Sequence, residues 1–467
     1  MDRLLSAGYR RWLLAVLVII STYSFIDRAV FTVLAEAVKQ DLKLNDQQVG
    51  MLQGLGFALP YLLFGIPFAR LAERFNRIRI MSLAIAVWSA LTVFCAVVLS
   101  YGQLLLGRVG VGLGEAGFGP PSSSLISDHF PAEKRASALA ILWLGVPLGS
   151  LIGAAGGGFI AESVDWRTAF LIVGVPGFLV VFLTLFTLRE PPRGLVEGHA
   201  PTKEPPPSFM VVLKHLFAKP TFTHILIGSS LAAFGMNAIG QFMPIFFIRA
   251  HGKSLLSAGL AYGAGSAASL TFGLMMGAFI AEKAGLRDRR FWVWGPAAGI
   301  LLAIPFYVFG FTTSGFVASV LGIMLGNAFL FLYWSPTLAM VQNMATPYMR
   351  ATASAILGLM LGVMGTAAGP TAMGYLSDFI ARHMFTLGDF HAMCPGGIAP
   401  KGSSDALAAA CHAANAGGLR FALASTAITF AWASVHFLLA SRHVTRDVFS
   451  AKDEPVASAV VTSAPAA

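Results

Sequence analysis

Long apolar stretches alternate with short polar breaks along most of the chain. Each stretch is about 20 to 28 residues long, enough to cross roughly 30 Å of hydrocarbon at about 1.5 Å of helix rise per residue. A segment in lipid must satisfy its own backbone hydrogen bonds, and the stretches lack the short alternating pattern of barrel strands. The pattern therefore predicts an all-α polytopic membrane protein.

Twelve spans are predicted, and the first, which follows Arg10 and Arg11, is too long for the core of a signal peptide and is expected to stay in the membrane. They lie near residues 12–36, 48–70, 80–100, 103–127, 136–161, 168–188, 221–248, 256–281, 291–312, 315–343, 351–379 and 417–440. Residues 189–219 are rich in proline and charge and are expected to form a semi-rigid linker. This divides the chain into a bundle over 1–188, the linker, a bundle over 220–441 and a disordered tail over 442–467.

Two pairs of matching segments indicate an internal repeat. Residues 69–74 (ARLAER) follow the second span, and residues 278–283 (AFIAEK) follow the eighth. Residues 131–137 (PAEKRAS) follow the fourth span, and residues 347–352 (PYMRAT) follow the tenth. Matching corners at equivalent places predict two pseudo-symmetric bundles of six helices, which is the parallel repeat of major facilitator transporters.

Composition and charge support a membrane protein and give it an orientation. The chain is 56% hydrophobic and only 12% charged, and its net charge is +10. Of its 32 basic residues, 22 fall on the side of the two termini and 8 on the other. This bias places both termini in the cytoplasm and the protein in a cell membrane, most simply a bacterial inner membrane. Since topology accounts for the basic excess, no binding of nucleic acid is expected.

Four charged residues fall in the apolar interiors of predicted spans, and all four belong to the first half. Asp27 and Arg28 lie in span one, and Arg108 and Glu115 lie two helical turns apart on one face of span four. Buried charges in a membrane often mark a substrate or proton pathway. We expect Asp27 or Glu115 to exchange a proton and an arginine to hold an anionic group of the substrate. The alternative is a static network of ion pairs that fixes the two helices together.

The second half offers uncharged groups, because no charged residue is expected in the interiors of spans seven to eleven. The candidate substrate contacts there are Asn237, Gln241, Tyr333 and Trp334. A cavity that is charged on one wall and apolar or weakly polar on the other suits an amphiphile with an anionic head. Ordinary helix packing is the alternative for each of these residues.

The matching corners carry charges at points where the two halves must separate and rejoin. Glu73 is expected to form a latch near the start of span eleven around Arg350, with Arg135 as a second partner. The expected latch residues are Glu73, Arg74, Arg77, Arg135 and Glu282. Charges fully exposed to water are the alternative.

Two of the three cysteines, Cys394 and Cys411, fall in the long loop before the last span. Cysteines on the outer side of a membrane often pair, so a disulfide is one expectation and free thiols are the other.

Several motifs resemble those of known transporters. The segment 69–79 (ARLAERFNRIR) resembles the major facilitator signature between helices two and three. Residues 25–28 (FIDR), 41–50 (DLKLNDQQVG), 114–116 (GEA), 127–130 (SDHF) and 189–194 (REPPRG) resemble the Spinster family. The resemblance implies a transporter whose animal relatives export lysophospholipids and sphingosine phosphate. It also implies that Asp27, Arg108 and Glu115 line the cavity.

The sequence thus predicts a proton-linked carrier of an amphiphilic anion, such as a lysolipid or sphingolipid-like molecule. Its expected partners are the lipid bilayer, this substrate and protons, and it is expected to act as a monomer. A carrier of a small soluble organic anion or drug is the second hypothesis, and a membrane sensor without transport is the third. No catalytic activity, cofactor or metal is expected, because no histidine-centred triad or metal cluster lies at membrane depth.

Overall fold

The computed structural model describes residues 6–193, 195–196, 208–285, 287–346 and 349–447. The helices of the first half are α1 (Ala7–Asp41), α2 (Asp46–Gln53 and Leu55–Arg74), α3 (Arg77–Ala96), α4 (Tyr101–Glu115 and Gly119–His129), α5 (Ala132–Trp143 and Gly145–Ser163) and α6 (Trp166–Thr187). Those of the second half are α7 (Pro220–His251), α8 (Leu255–Lys283), α9 (Phe291–Thr312), α10 (Phe316–Leu330, Phe331–Tyr333 and Trp334–Met344), α11 (Arg350–Leu361, Gly362–Ala368 and Gly369–Met384) and α12 (Asp405–Ala440).

The described residues include eleven helices that are long and apolar enough to cross a membrane. The remaining span, α4, is interrupted: its helix ends at Glu115 and restarts at Gly119, followed by Pro120 and Pro121. α10 and α11 are also irregular, since α10 contains a 3-10 turn and α11 contains a seven-residue π-helical segment over Gly362–Ala368. Breaks of this kind are tolerated in a membrane where neighbouring helices cover the freed backbone.

Equivalent helices of the two halves pack in the same pairs. α3 packs on α4 and α6, as α9 packs on α10 and α12, and α2 packs on α4 as α8 packs on α10. The halves meet along three seams, which are α1 with α7, α2 with α11 and α5 with α8. This is the arrangement that the repeated corner motifs predict.

The seams are closed at one end of the molecule, which we call the closed side. There, a Cβ on Gly50 of α2 would lie 3.1 Å from the Cα of Gly374 in α11 and would clash with the carbonyl of Pro370. Glycine therefore permits the backbones of the two halves to touch. The contact between α2 and α11 extends inward to Leu62 and Gly362.

We call the end that carries the N-terminus the open side. There, the helices of each half pack against other helices of the same half. The first part of α5 packs on α1 and α4, and the first part of α11 packs on α10. Beyond Leu62, the α2 side chains Leu63 and Ile66 are well exposed. Contacts between the halves are therefore concentrated at the closed side, and we infer that the predicted cavity opens toward the open side.

Several helices extend beyond the predicted spans. α1 continues to Asp41, α7 continues to His251, and α12 begins at Asp405, well before the predicted start at residue 417. The linker contains a helix over Phe209–Phe217, which the proline-rich composition did not indicate. The tail was expected to be disordered from residue 442, but residues 444–447 form a helical turn with Val444 buried. The expectation for residues 448–467 lies outside the described part of the chain.

Candidate functional site

The four intramembrane charges that the sequence singles out come together between α1 and α4. Nε and Nη2 of Arg28 lie 2.7 and 2.6 Å from Oε2 of Glu115, which also accepts a hydrogen bond from Ser24 at 2.7 Å. Nη1 of Arg108 lies 3.7 Å from Oδ2 of Asp27. Each of the two adjacent residues of α1 thus pairs with a charge on α4. We call Asp27, Arg28, Arg108 and Glu115 the central charges.

The two ion pairs differ in quality and in access to water. Asp27 accepts a hydrogen bond from Thr92 of α3 at 2.6 Å, but its other oxygen has only the long contact with Arg108. The side chains of Asp27, Arg108 and Glu115 are buried, whereas 24% of the Arg28 side chain is exposed. Arg28 is therefore the central charge that a solute in the cavity reaches first.

Aromatic rings surround both arginines. The guanidinium carbon of Arg28 lies 4.8 Å from the ring centroids of Phe57 and Tyr61, and that of Arg108 lies 4.2 Å from Phe31 and 4.8 Å from Phe57. Phe57 of α2 thus contacts both cations. Ring faces attract cations without neutralising them, so they hold the arginines while leaving them able to exchange an anionic partner.

The candidates from the second half occupy different environments. Gln241 of α7 accepts a hydrogen bond from Thr32 of α1 at 2.6 Å, so it closes the seam between the halves. Asn237 donates to the carbonyl of Ala233 in its own helix at 2.9 Å, beside the π-helical segment of α11. Trp334 is partly exposed, but Tyr333 is buried.

The Tyr333 ring packs on Phe437 of α12 at 6.3 Å between ring centroids, and its hydroxyl has no hydrogen-bond partner in the described structure. The structure therefore brings Asn237 and Gln241 to the interior but places Tyr333 in helix packing.

Among the described residues, Glu73, Arg74, Arg77 and Glu282 form no ion pair across the halves. Arg77 is fully buried within the first half, and Arg135 donates to the carbonyls of Ser127 and Phe130. Glu73, Arg74 and Glu282 are exposed and form no ion pair among the described residues. The reason is geometric, since their corners lie on the open side, where the halves are apart.

The contacts of Arg77 that the structure describes lie within the first half and the linker. Its guanidinium binds Asp128 at the end of α4 at 2.5 Å and Glu190 at the start of the linker at 2.7 Å, and it donates to Ser124 and to the carbonyl of Pro191. It therefore joins α3, α4 and the linker within one half.

The closed side contains a second charged cluster that the sequence reasoning missed. Arg249 of α7 lies 2.6 Å from Glu36 of α1 and 2.7 Å from both oxygens of Asp46 of α2. Asp46 also accepts hydrogen bonds from Lys39 at 2.7 Å and from Ser377 of α11 at 2.6 Å. These bonds join both halves, so we call Glu36, Lys39, Asp46 and Arg249 the gate cluster.

The gate cluster corrects the expectation that buried charges belong to the first half alone. Arg249 comes from the second half and is buried, and so is Asp378, which lies at the end of the eleventh predicted span. The helices extend beyond the bilayer length assigned to them, so residues taken as loops are helical and covered. A signal was present, because Arg28, Thr32 and Glu36 follow each other at four-residue steps on α1 and share a face.

A loop closed by a disulfide lies over the gate cluster. Cys394 and Cys411 are bonded to each other, with their Cα atoms 5.7 Å apart. Gly396, in the loop between them, lies against the backbone of Lys39 and Gln40. Asn415 contacts Gly397 and accepts a hydrogen bond from Lys39 at 3.1 Å. The cluster is thereby covered on its outer face.

Comparison with known proteins agrees with this architecture. The family model of the Major Facilitator Superfamily matches residues 16–370. An MFS-type efflux pump of Mycolicibacterium smegmatis is 32% identical over 376 residues, which cover 79% of this chain and 85% of that protein. Human protein spinster homolog 1 is 27% identical over 397 residues, which cover 81% of this chain and 75% of that protein.

Solved structures agree as well. The crystal structure of a bacterial homolog of the human lysosomal transporter Spinster, in an inward-facing and unoccupied conformation, is 33% identical. It superposes with a TM-score of 0.87 over 96% of this chain and 100% of that one. Its inward-facing, occupied form gives a TM-score of 0.84 at 32% identity. The chain therefore belongs to the major facilitator superfamily and, within it, to the Spinster family of transporters.

Proposed function

We propose that this transporter couples protons to the movement of an amphiphilic anion of the lysophospholipid or sphingolipid-like class. One observation carries the proposal: Arg28 is both the partner of the buried Glu115 and the most accessible of the central charges. An anion that enters the cavity and binds Arg28 competes directly with Glu115.

This competition supplies a coupling mechanism. When a phosphate or carboxylate of the substrate binds Arg28, Glu115 loses its counter-charge while it remains buried. An uncompensated buried carboxylate is costly, so it takes up a proton instead. Proton release then restores the pair with Arg28 and favours release of the anion. Asp27, whose ion pair is the longer of the two, is the second proton-carrying group.

An amphiphile is favoured over a wholly polar solute because charge is confined to one wall at the level of the central charges. In the second half, the buried ionisable residues Arg249 and Asp378 lie at the closed side. The partly exposed side chains Trp334, Leu338 and Leu359 of α10 and α11 are apolar. A hydrophobic body therefore has a surface to contact while the head group binds Arg28.

The predicted topology assigns sides to the cycle. With both termini in the cytoplasm of a bacterial cell, the open side is cytoplasmic and the structure is the inward-facing state of alternating access. The unit that moves is a monomer of two bundles, residues 1–188 and 220–441.

A carrier of a small soluble organic anion or drug is the second candidate, and the efflux pump of M. smegmatis is the relative that favours it. A sensor without transport is the third, and it predicts ligand binding without flux.

Flux measurements in proteoliposomes test the proposal. The probe is fluorescent lysophosphatidylglycerol, competed by unlabelled lipid or by a soluble carboxylic acid, with and without a pH gradient. We expect the unlabelled lipid to compete with the fluorescent probe. We expect flux in D27N and E115Q to lose its dependence on pH. D405N makes the same change as D27N at an exposed position and should behave as the unmodified protein. The proposal would be wrong if flux keeps its pH dependence in both D27N and E115Q, or if the soluble acid alone competes with the probe.

A further inference from the structure

The linker helix, Phe209–Phe217, has an apolar sector that is wider than the surface that covers it. At about 100° per residue, six of its seven apolar side chains span roughly 160° of the helix circumference. In order around the helix these six are Val212, Leu216, Phe209, Leu213, Phe217 and Met210, and the seventh, Val211, lies about 100° beyond Met210.

Only one edge of this sector is covered by protein. Val212 and Leu216 are fully buried, whereas Phe209, Met210 and Phe217 are exposed by 58%, 55% and 47%. Exposed Lys214 borders the uncovered edge about 40° beyond Met210. An uncovered apolar edge followed by a cation is the pattern of a helix that lies in the plane of a membrane surface.

Contacts with the transmembrane helices fix the position of the linker helix. Nζ of Lys219 donates to the carbonyl of Met344, the last residue of α10, at 2.6 Å, and His215 lies 3.3 Å from the same oxygen. The helix also packs on α7 and on the first part of α11. It is therefore held at the open-side ends of three spans.

The uncovered edge is continuous with the point where the chain enters the bilayer. α7 begins at Pro220, three residues after Phe217. The Phe217 ring packs edge-on against Phe222 of α7, with ring centroids 5.3 Å apart. Phe217 therefore lies at the level at which α7 meets the lipid head groups.

We propose that the linker helix is an interfacial membrane anchor. Phe209, Met210 and Phe217 insert into the boundary between acyl chains and head groups, and Lys214 binds the phosphates of anionic phospholipids. Because the helix holds the ends of α10 and α11, the bilayer is attached to the open side of the second half. This attachment does not depend on which substrate is carried.

Environment-sensitive labels test the anchor. Cys95 is buried and the other cysteines are paired, so M210C and V211C each give one reactive thiol for a nitrobenzoxadiazole label. Both native side chains are exposed, but they point about 100° apart. The labelled proteins are placed in nanodiscs of phosphatidylcholine and phosphatidylglycerol.

We expect the label at 210 to emit at shorter wavelength and to be quenched by lipids that carry a spin label near the head of the acyl chain. The label at 211 should be quenched by iodide instead. Equal access of iodide to both labels would overturn the proposal. Protection of the 210 label from iodide without quenching by the spin-labelled lipids would overturn it too, because protein would then cover the site. F217C repeats the measurement if M210C does not fold, and neither label requires flux.

Discussion

Arg249 and Asp46 form a two-point contact across the halves, with Nη1 2.7 Å from one carboxylate oxygen and Nη2 2.7 Å from the other. Arg249 is also held by Glu36. The structure thus closes one side of the transporter with buried charges, which repay their desolvation only while they remain paired. The same side must open for substrate to pass, so these pairs oppose that step.

We expect R249M to favour the state in which the closed side has opened. The substitution leaves Glu36 and Asp46 without a main partner, and breaking a buried pair costs about 3–5 kcal/mol in the closed arrangement. Hydration on opening relieves this cost. The measurement is water access to a cysteine introduced at Gln53, a buried residue of α2 that donates to the carbonyl of Gln241 across the seam, read by maleimide labelling in membranes.

R167M provides the control, because its partner Asp41 is well exposed and the pair lies outside the seam. Equal labelling of the cysteine at position 53 in R249M and R167M would contradict the assignment of Arg249 to the gate.

E115Q should bind anionic head groups more tightly than the unmodified protein while losing the effect of pH on binding. Glutamine removes the charge that competes for Arg28 but keeps a similar side-chain volume. Ion-assisted hydrogen bonds contribute about 1.5–3 kcal/mol, so the gain in affinity is expected to be roughly tenfold or more. Titration of lysophosphatidylglycerol by thermal shift at two pH values measures both effects.

The paired variant R28Q should lose binding at every pH, since it removes the cation itself. If E115Q binds more weakly than the unmodified protein, Glu115 contacts the substrate and does not compete with it.

R77M should destabilise the first half without altering substrate affinity. The substitution leaves the carboxylates of Asp128 and Glu190 without their shared guanidinium, and the loss is expected to be about 3 kcal/mol. The midpoint of thermal unfolding in detergent should fall by several degrees. A normal midpoint combined with a changed transport rate would instead support the latch role that its position in the 69–79 signature predicts.

The central charges show what sequence reasoning can recover. Arg108 and Glu115 are predictable because a charge inside a long apolar stretch can be recognised from the sequence alone. Their spacing of seven residues places them on one face of the helix. Arg249 is not visible in this way, because it stands at the end of a stretch, where charges are usually solvated. Its role depends on Glu36 and Asp46 from the other half, and such pairing emerges only when the bundles assemble.

The irregular segments of α4 and α11 could not be predicted from the sequence either. Gly117, Gly119 and the two prolines mark a weak point in α4, but they do not fix where the helix breaks. The π-helical segment of α11 is followed directly by Gly369 and Pro370, but this pair does not fix how the helix distorts where it packs against α2 and α7. The twelve spans follow from hydrophobicity and their repeat follows from the matching corner segments, whereas the distortions depend on packing.

The last prediction concerns the start of the tail, where Asp447 caps α7. Its carboxylate accepts hydrogen bonds from the backbone N–H of Thr221 at 3.1 Å and from its hydroxyl at 2.8 Å. Partial burial raises the pKa of Asp447, but the hydrogen bonds from Thr221 and the nearby Arg446 outweigh it and leave the pKa below its usual value. A depressed pKa means that this cap stabilises the folded state above the unfolded pKa of about 3.9 and that the contribution is lost as pH falls below it.

D447N should therefore lower stability at neutral pH by about 1 kcal/mol, the usual cost of weakening a helix cap. The difference between variant and unmodified protein should shrink as pH falls below about 4, because Asp447 becomes protonated and donates no charge to the cap. Thermal unfolding from pH 3 to pH 7, at roughly unit steps, measures this dependence. A constant difference across that range would show that Asp447 acts through packing of the tail and not through its charge.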